Sequence, residues 1–347
     1  MFHLKKNPFL IDSKDIVLEK KLGQGGFGEV YKATWQGGIV AVKQILDDQE
    51  LSWEAKKEFE KESEIMAQLN SPNIIRFFGF CLNPKYSIIM EYMPKGSLYH
   101  VNKNEEPLPW SVRIKIATQI AEGISFLHSK NIVHRDIKSL NVLLDDNYNA
   151  KLSDFGLSKV KMESQSSSTA KKSNKNSVGT VQWMAPELFK LRPVYSQKSD
   201  IYSLGITFWE LTSRKLPYMG VDKNVIPTLV REGEREEIPE DCPSKMAEII
   251  RSCWDTIPEK RPEAVEIVEH LKKLKLMLVK NEFEILGKEI PGGSSASIQW
   301  FYHSNTKTHW IGKCSDKAIV CQKESGELVA PDNINEYKEY VASKIYS

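Results

Sequence analysis

The chain has 347 residues, 41% of them hydrophobic and 27% charged, a balance that is typical of a globular protein and excludes fibrous and disordered classes. Its 48 basic and 46 acidic residues leave a net charge of +2, so bulk electrostatic binding to nucleic acid or lipid is not expected. Five scattered cysteines favour a reducing, cytoplasmic compartment, and no apolar run reaches the roughly 20 residues that a membrane span requires.

The first elements predicted along the chain are strands. Residues 16–46 alternate in polarity and are rich in glycine and β-branched residues, which predicts three strands joined by tight turns. A helix is predicted over residues 52–69, with Ser52 as its N-terminal cap. Two further strand-like runs follow at Ile74–Phe80 and Ser87–Glu91. We therefore expect a small sheet that carries one helix.

The pattern becomes mainly helical from residue 110. Four apolar residues recur at helical spacing and predict a buried helix face, namely Ile116, Ile120, Ile124 and Leu127. Three further helices are predicted, at Asp200–Leu211, Val225–Glu232 and Ala264–Val279. The polar stretch 161–177, rich in Ser, Lys and Asn, is typical of a mobile loop.

A glycine-rich motif lies between the first two predicted strands, at Gly23, Gly25, Gly26 and Gly28. The G-x-G-x-x-G pattern is typical of dinucleotide binding only where a helix follows at once, whereas here a β-branched run and a Gly-Gly turn follow. The glycines are therefore expected in a hairpin, where backbone N–H groups can approach phosphate oxygens. The alternative is a glycine-rich turn without a ligand.

Lys43 ends the apolar run of the third predicted strand, where it would either reach solvent or contact a buried partner. The predicted helix offers such a partner, because Glu62 lies on its inward face among Phe59, Met66 and Leu69. A carboxylate on an apolar face is costly unless it is paired. A Lys43–Glu62 ion pair is therefore expected, and it would hold the ammonium where it can bind nucleotide phosphates.

Three further motifs follow in chain order: His134-Arg135-Asp136 with Lys138 and Asn141 close behind, then Asp154-Phe155-Gly156, then Ala185-Pro186-Glu187. Together with the glycine motif and Lys43, they stand in the order and at the gaps of the eukaryotic protein kinase family, which the chain resembles over residues 13–275. That resemblance implies an α+β, bilobal fold, with a small antiparallel-sheet N-lobe that carries one helix and a larger, mainly helical C-lobe.

The predicted domain layout follows from the resemblance. It places the N-lobe at residues 13–93 and the C-lobe at 94–275, after an N-terminal extension at 1–12. The end of a helix and a Pro-Gly-Gly-Ser-Ser linker occupy 276–295, and a small appendage occupies 296–347.

The resemblance also implies roles for individual residues. Asp136 would orient the attacking hydroxyl or accept its proton, and Lys138 would steady the transferring phosphate. Asn141 and Asp154 would hold Mg²⁺, or Mn²⁺ in its place, because carbonyl and carboxylate oxygens suit such ions.

An ATP pocket is implied as well. Met90 would be the gatekeeper, and backbone groups of Glu91, Tyr92 and Met93 would form the hinge that hydrogen-bonds adenine. The apolar members also suit ordinary core packing. The full set of nucleotide contacts implied by the resemblance is Leu22, Gly23, Gly25, Gly28, Val30, Ala41, Lys43, Met90, Glu91, Tyr92, Met93 and Leu143.

Supporting contacts are implied at a distance from the nucleotide. Asp200 would brace the catalytic loop and Arg261 would pair with Glu187, although each of these charges also suits an exposed surface. A stack of four side chains would form the regulatory spine, namely Met66, Phe77, His134 and Phe155.

Several residues indicate which kind of kinase is expected. Lys138, two places after Asp136, resembles serine/threonine kinases. The stretch Gly179–Glu187 and the later Cys253-Trp254 resemble the tyrosine-kinase-like group, which includes mixed-lineage, Raf-like and receptor-interacting kinases. The expected function is ATP- and Mg²⁺-dependent phosphorylation of Ser/Thr in protein substrates. Dual specificity and the oligomeric state are left open.

Regulation by phosphorylation is also expected. Arg135 precedes Asp136, and family members with this arginine are often switched by a phosphate that pairs with its guanidinium. The segment between Asp154 and Glu187 is rich in serine, and autophosphorylation is expected near Ser173–Ser177. The alternative is that this segment is only a solvated loop.

Two other interpretations of the whole chain stay open. The first is a pseudokinase that acts as a nucleotide-binding signalling scaffold. The usual sign of a pseudokinase is loss of Lys43, Asp136 or Asp154, and all three residues are present. Alternatively, the C-terminal segment would be a binding module that carries the main role.

The C-terminal segment lies outside the resemblance. Strands are predicted at Ile298–His303 and Ala318–Cys321, and a short helix at Asn335–Lys344. Its metal-binding residue types are spaced like no standard zinc site: His303, His309, Cys314 and Cys321. A small packed appendage is therefore the favoured interpretation, and substrate recruitment or restraint of activity are the alternatives.

Overall fold

The computed structural model describes the following residues: 7–25, 28–45, 59–60, 63–64, 66–104, 106–154, 181–285, 298–303, 308–313, 319–322 and 328–329. The chain divides into two compact units, Met1–Glu269 and His270–Ser347. Within the described ranges, no helix combines the length and the apolar composition that crossing a membrane requires.

The first unit begins with a five-stranded sheet. Its strands are β1 Ile16–Gly25, β2 Gly28–Trp35, β3 Gly38–Ile45, β4 Phe77–Cys81 and β5 Ser87–Glu91. They pair antiparallel in the order β1-β2-β3-β5-β4, which confirms the three strands predicted over 16–46. Residues 59–60, 63–64 and 66–68 are helical, in agreement with the predicted helix, while Ser52 and Glu62 lie outside the described residues.

The β2–β3 hairpin shows how local sequence sets a turn. Trp35 pairs with Gly38, which leaves Gln36 and Gly37 as a two-residue turn with φ angles of 48° and 76°, one residue earlier than the predicted Gly-Gly turn. Two-residue hairpin turns of this kind need positive φ at both positions, and glycine adopts it without strain.

A mainly helical lobe follows the sheet. Its helices are α1 Leu98–Lys103, α2 Trp110–Ser129, α3 Gln197–Ser213, α4 Ile226–Glu232, α5 Ser244–Cys253 and α6 Ala264–Glu282, of which α6 runs into the second unit. Three short strands, β6 Gly96–Ser97, β7 Val142–Leu144 and β8 Ala150–Leu152, form an antiparallel sheet. Single 3-10 turns lie at Ser13–Asp15, Ser139–Asn141, Val181–Trp183, Pro186–Phe189 and Pro258–Lys260.

Helices α2 and α3 form the centre of this lobe. The apolar stripe predicted on α2 is confirmed, since each of its members is at most 1% exposed: Ile116, Ile120, Ile124 and Leu127. Helix α3 is buried on nearly all sides. It begins earlier than the predicted Asp200, because Ser196 and Ser199 each bond the backbone N–H of the other and so cap the helix.

The connection between the lobes corrects one predicted boundary. The strand predicted at Ile74–Phe80 begins only at Phe77. Ile75 N donates to Leu152 O, and Leu152 N donates to Asn73 O, each at 2.9 Å. The backbone before Phe77 is thus bonded to β8 of the large lobe and is not part of the five-stranded sheet.

An N-terminal arm, residues 7–12, packs on β4. Phe80 N donates to Phe9 O and Ile11 N donates to Phe80 O, each at 2.9 Å. Gly79 makes this approach possible, because a Cβ there would lie 2.5 Å from Phe9 O and from Ile11 Cδ1. Asn7 also bonds Glu64 of the small-lobe helix at 2.8 Å. The arm therefore joins β4 to that helix.

The second unit contains a separate antiparallel sheet. Its strands are β9 Phe283–Ile285, β10 Ile298–His303, β11 Thr308–Lys313, β12 Ile319–Gln322 and β13 Leu328–Val329, in the order β13-β12-β11-β10-β9. The strand predicted at Ile298–His303 is confirmed, and the one predicted at Ala318–Cys321 is displaced by one residue. The predicted linker at 291–295 and helix at 335–344 lie outside the described residues. No metal-binding cluster is found among those described, and Cys314 is not one of them.

Candidate active site

The predicted catalytic loop folds into a compact polar cluster. Lys138 Nζ donates to both carboxylate oxygens of Asp136, at 2.9 and 3.0 Å. Asn141 Nδ2 donates to Asp136 Oδ2 at 3.1 Å and to its backbone oxygen at 2.7 Å. The 3-10 turn Ser139–Asn141 brings Asn141 back towards Asp136. The Asp136 carboxylate is therefore held in one orientation by two neighbours from its own loop.

Lys43 reaches the site from β3. Its Nζ lies 2.6 Å from both carboxylate oxygens of Asp154, so the two side chains form a close ion pair. The expected partner Glu62 lies outside the described residues, and the Lys43–Glu62 pair stays a prediction. Phe155 also lies outside the described residues, so its place in the predicted regulatory spine stays a prediction as well.

Ser153 joins the two halves of this cluster. Its N–H and hydroxyl donate to the backbone oxygen of Asn141 at 2.9 and 3.2 Å. Lys43 is thus bonded to Asp154, and Ser153, the residue before Asp154, is bonded to Asn141, which in turn is bonded to Asp136. These residues come from β3, from the loop before β7 and from the end of β8.

Asp200 braces the catalytic loop, as predicted. Its buried carboxylate accepts hydrogen bonds from His134 N at 2.7 Å and from Arg135 N at 2.9 Å, and it lies 3.0 Å from His128 Nε2. Arg135 has a φ of 70°, a conformation that costs free energy for a side chain of this kind. The bonds to Asp200 compensate for that strain.

The residues predicted to contact a nucleotide lie on the small sheet and on β7. Strand register places Val30 opposite Lys43 and Ala41 opposite Met90, and Leu143 is the middle residue of β7. The glycine motif lies in the β1–β2 hairpin, as predicted, with Gly25 paired to Gly28.

The predicted hinge follows β5. Glu91 ends that strand and its carboxylate pairs with Lys151 at 2.8 Å, while Met93 is buried and Tyr92 is half-buried. Leu22, on β1, is 42% exposed. The Glu91 side chain is thus engaged with Lys151, and its backbone N–H donates to Arg76 O at 2.9 Å.

A small depression is lined by Asp136 together with Arg135, Trp183, Met184 and Tyr195, among others. The Arg135 guanidinium lies 5.9 Å from the centre of the Tyr195 ring. Burial, and after it the charge of Asp136, raises the pKa of Tyr195, so its phenol stays neutral. Tyr195 and Met184 are absent from the predicted site, because neither belongs to a motif of closely spaced polar residues.

One buried charge is also missing from the predicted set. Glu210 of α3 is 1% exposed and accepts hydrogen bonds from Ser139 and Trp183. The sequence does carry a signal for Glu210, because its carboxylate lies inside an apolar helical run, Ile206–Leu211. The same kind of pattern singles out Glu62.

The chemistry of the donor set suits a hard divalent cation. Asp154 offers carboxylate oxygens, and Asn141 donates its amide nitrogen to Asp136, which leaves its amide oxygen as a ligand atom. Ions such as Mg²⁺ prefer oxygen ligands of these two kinds. Asn141 and Asp154 therefore fit such an ion.

A family model described as protein tyrosine and serine/threonine kinase matches residues 16–271. The chain belongs to this protein kinase family. Its antiparallel-sheet small lobe and helical large lobe are the bilobal protein kinase fold expected from the sequence. Membership in the kinase family implies the use of ATP and of a divalent metal ion.

Curated relatives of the chain come from three different sources. A serine/threonine-protein kinase/receptor of Acanthamoeba polyphaga mimivirus is 40% identical over 273 residues, which cover 76% of this chain and 16% of the viral protein. A serine/threonine-protein kinase of Dictyostelium discoideum is 39% identical over 267 residues, covering 76% of this chain and 28% of that protein. One of Arabidopsis thaliana is 38% identical over 266 residues, covering 75% and 25%. The match thus spans less than a third of each relative.

Proposed function

We propose that the chain is an active protein kinase that transfers the γ-phosphate of ATP to serine and threonine hydroxyls of protein substrates. One observation carries the proposal: contacts of 2.6–3.2 Å join Lys43 to Asp154, Ser153 to Asn141 and Asn141 to Asp136, and Ser153 directly precedes Asp154 in the chain. These are the charges and oxygen ligands that phosphoryl transfer requires in one place.

Asp136 orients the acceptor. Its carboxylate, held by Lys138 and Asn141, accepts a hydrogen bond from the substrate hydroxyl and then its proton. The hydroxyl oxygen forms a bond to the γ-phosphorus while the bond from that phosphorus to the bridging oxygen breaks, and ADP leaves. Lys138 lies next to the developing negative charge and steadies it.

Lys43 binds the phosphates of the nucleotide through its ammonium group. Asn141 and Asp154 hold Mg²⁺, with Mn²⁺ as an alternative. When bound, the ion neutralises charge on the phosphate oxygens. Glu62, which lies outside the described residues, would support Lys43 as the sequence predicts.

The adenine ring lies between the lobes, beneath the β1–β2 hairpin. Backbone groups of the hinge, Glu91–Met93, bind its edge, and Met90 limits the depth of the pocket. The remaining nucleotide contacts are those implied by the family motifs: Leu22, Gly23, Gly25, Gly28, Val30, Ala41 and Leu143.

Preference for serine and threonine rests on Lys138 and on the names of the relatives. The tyrosine-kinase-like group is the proposed subgroup, supported by the stretch Gly179–Glu187 and by Cys253-Trp254. Arg135 would receive a phosphate from the segment 155–180, which lies outside the described residues. The proposed kinase domain spans 13–275, and the unit ending at Glu269 and the family match ending at 271 support that boundary.

Radiolabelled phosphate transfer tests the proposal. The whole chain, incubated with labelled ATP and Mg²⁺ and a library of serine, threonine and tyrosine peptides, is expected to label serine and threonine peptides. Asp136→Asn is expected to reduce the rate by about 10²-fold or more, because general-base assistance is lost.

A matched control is Asp222→Asn, since Asp222 is exposed and its side chain accepts only from the nearby Asn224 N–H among the contacts described. It is expected to keep the wild-type rate. Equal and near-zero transfer by wild type and Asp136→Asn, with ATP binding retained in a thermal-shift assay, would favour the nucleotide-binding scaffold instead.

A further inference from the structure

A buried carboxylate connects two segments of the active site that are distant in sequence. Glu210 Oε1 accepts a hydrogen bond from Ser139 Oγ at 2.7 Å. Its Oε2 accepts from Trp183 Nε1 at 2.7 Å and from Ser139 N at 3.3 Å. Both oxygens of one side chain on α3 are therefore engaged by donors from two different segments.

The first segment is the catalytic loop. Ser139 directly follows Lys138 and starts the 3-10 turn that brings Asn141 to Asp136. Two of the three bonds to Glu210 come from Ser139, one from its backbone and one from its hydroxyl. A displacement of Ser139 would therefore move Lys138 and Asn141 as well.

The second segment lies on the acceptor side of the site. Trp183 lines the depression beside Asp136, as does Met184. A second bond from α3 holds the same residue, because Ser203 Oγ donates to Trp183 O at 2.7 Å. Helix α3 thus anchors the side chain of Trp183 through Glu210 and its backbone through Ser203.

We propose that Glu210 is a positioning residue that holds the catalytic loop in register with the acceptor-binding wall formed by Trp183. The inference rests on the proposed kinase activity and adds a residue to it. A carboxylate suits this role because it accepts several hydrogen bonds and donates none, so it can receive the hydroxyl, the amide and the indole together.

The cost of burying this group supports a specific role. Burial raises the pKa of Glu210 to about 7, against the opposing effects of its bonds from Ser139 and Trp183 and of the charge of Lys138. Apolar side chains could fill the same space on α3 without that cost. In exchange for this cost, the carboxylate connects the catalytic loop to Trp183 through hydrogen bonds.

The test compares Glu210→Gln with Ser139→Ala and Trp183→Phe in the whole chain. A glutamine keeps the volume of Glu210 but replaces one acceptor oxygen by a donor, so the hydroxyl, amide and indole donors cannot all be received in their present orientations. Thr212→Ala is the matched control, because Thr212 is also buried on α3 and its hydroxyl donates only to Trp209 O of its own helix among the contacts described.

Two readouts are needed. The first is steady-state kinetics: Glu210→Gln is expected to lower kcat/KM for a peptide substrate about tenfold or more, with KM for ATP changed less than about twofold. Combining Glu210→Gln with Trp183→Phe is expected to add little to the loss, since both changes weaken the same connection between the catalytic loop and Trp183. The second readout is amide hydrogen exchange, in which residues 136–141 are expected to exchange faster in Glu210→Gln and as in wild type in Thr212→Ala.

The second readout does not depend on activity. Unchanged exchange in residues 136–141 would overturn the positioning role, whether or not the wild type transfers phosphate. Faster exchange with unchanged peptide kinetics would also overturn it. If the wild type transfers no phosphate but residues 136–141 exchange faster in Glu210→Gln, the proposed kinase activity is refuted and the positioning role of Glu210 is retained. Equal losses in Glu210→Gln and Thr212→Ala would reduce Glu210 to a general packing role.

Discussion

The guanidinium of Arg261 makes two parallel hydrogen bonds to the carboxylate of Glu187, at 2.7 and 2.8 Å, across 74 positions of sequence. Arg261 is 1% exposed and also donates to Asp255 O and Lys198 O. The Lys198 carbonyl belongs to α3. This pair therefore fastens the segment that contains Glu187 to the helix that carries Asp200 and Glu210.

Removing this arginine should be costly. Arg261→Ala would leave Glu187 without its partner and remove a donor from three backbone carbonyls, and we expect a loss of about 3–5 kcal/mol of unfolding free energy. Arg261→Lys should recover only part of it, because an ammonium cannot make the two parallel bonds. Urea denaturation measures both. The comparison is Lys245→Ala, which breaks an ion pair with Glu248 whose members are 56% and 58% exposed and should cost under about 1 kcal/mol.

The brace of the catalytic loop gives a second prediction. In Asp200→Asn the amide nitrogen cannot accept, so the N–H of His134 or of Arg135 loses its partner. An unpaired buried donor costs about 1–3 kcal/mol, and we expect kcat for peptide phosphorylation to fall about 10- to 100-fold. A normal kcat in a folded Asp200→Asn protein would show that the loop holds its conformation without this carboxylate.

The N-terminal arm predicts a steric effect. Gly79→Ala would place a methyl group 2.5 Å from Phe9 O and Ile11 Cδ1, so the arm must shift, and we expect a loss of about 1–3 kcal/mol. Gly38→Ala is the control, since the nearest atom to its Cβ is Trp35 O at 3.6 Å, an ordinary contact. Thermal unfolding of the two variants should separate them, and equal melting temperatures would contradict the packing of the arm on β4.

Glu210 predicts a pH effect on stability. Burial raises its pKa from 4.5 to about 7, so the folded protein holds this proton more tightly than the unfolded chain does. Its contribution to stability is therefore most favourable below pH 4.5 and is lost as the pH rises to 7. The neutral side chain of Glu210→Gln does not titrate. Between pH 5 and pH 8 we expect the wild type to lose on the order of 2–3 kcal/mol relative to that variant. A pH-independent difference would contradict the raised pKa.

Much of the small lobe was predictable because its signals are local. A Gly-Gly turn between alternating β-branched runs predicts a hairpin without reference to the rest of the chain, and the hairpin is present with its turn one residue earlier, at Gln36 and Gly37. The boundary at Ile74 was not predictable in the same way. An apolar run of this kind favours a strand, but the partner strand, β8, is decided by Asn73 and Leu152 meeting across the lobe connection.

In the candidate site, too, some residues are predictable from a local motif and others are not. Asp136, Lys138 and Asn141 lie within six positions of one another, so a single motif specifies their cluster. Lys43 and Asp154 are 111 positions apart, and only the resemblance to a family could associate them before their contact was seen. Tyr195 and Glu210 belong to no short motif, and they emerged only with the fold.

The amino-acid sequence alone determined the strand and helix types, the glycine hairpin and the polar catalytic loop, because each depends on the conformational and hydrogen-bonding preferences of residues close in the chain. The tertiary structure decided the hydrogen bonds of Glu210 to Ser139 and Trp183, the Arg261–Glu187 ion pair and the packing of the N-terminal arm on β4. Those contacts depend on which distant segments are brought together by burial of α3 and β4, and no periodic pattern in the sequence records that pairing.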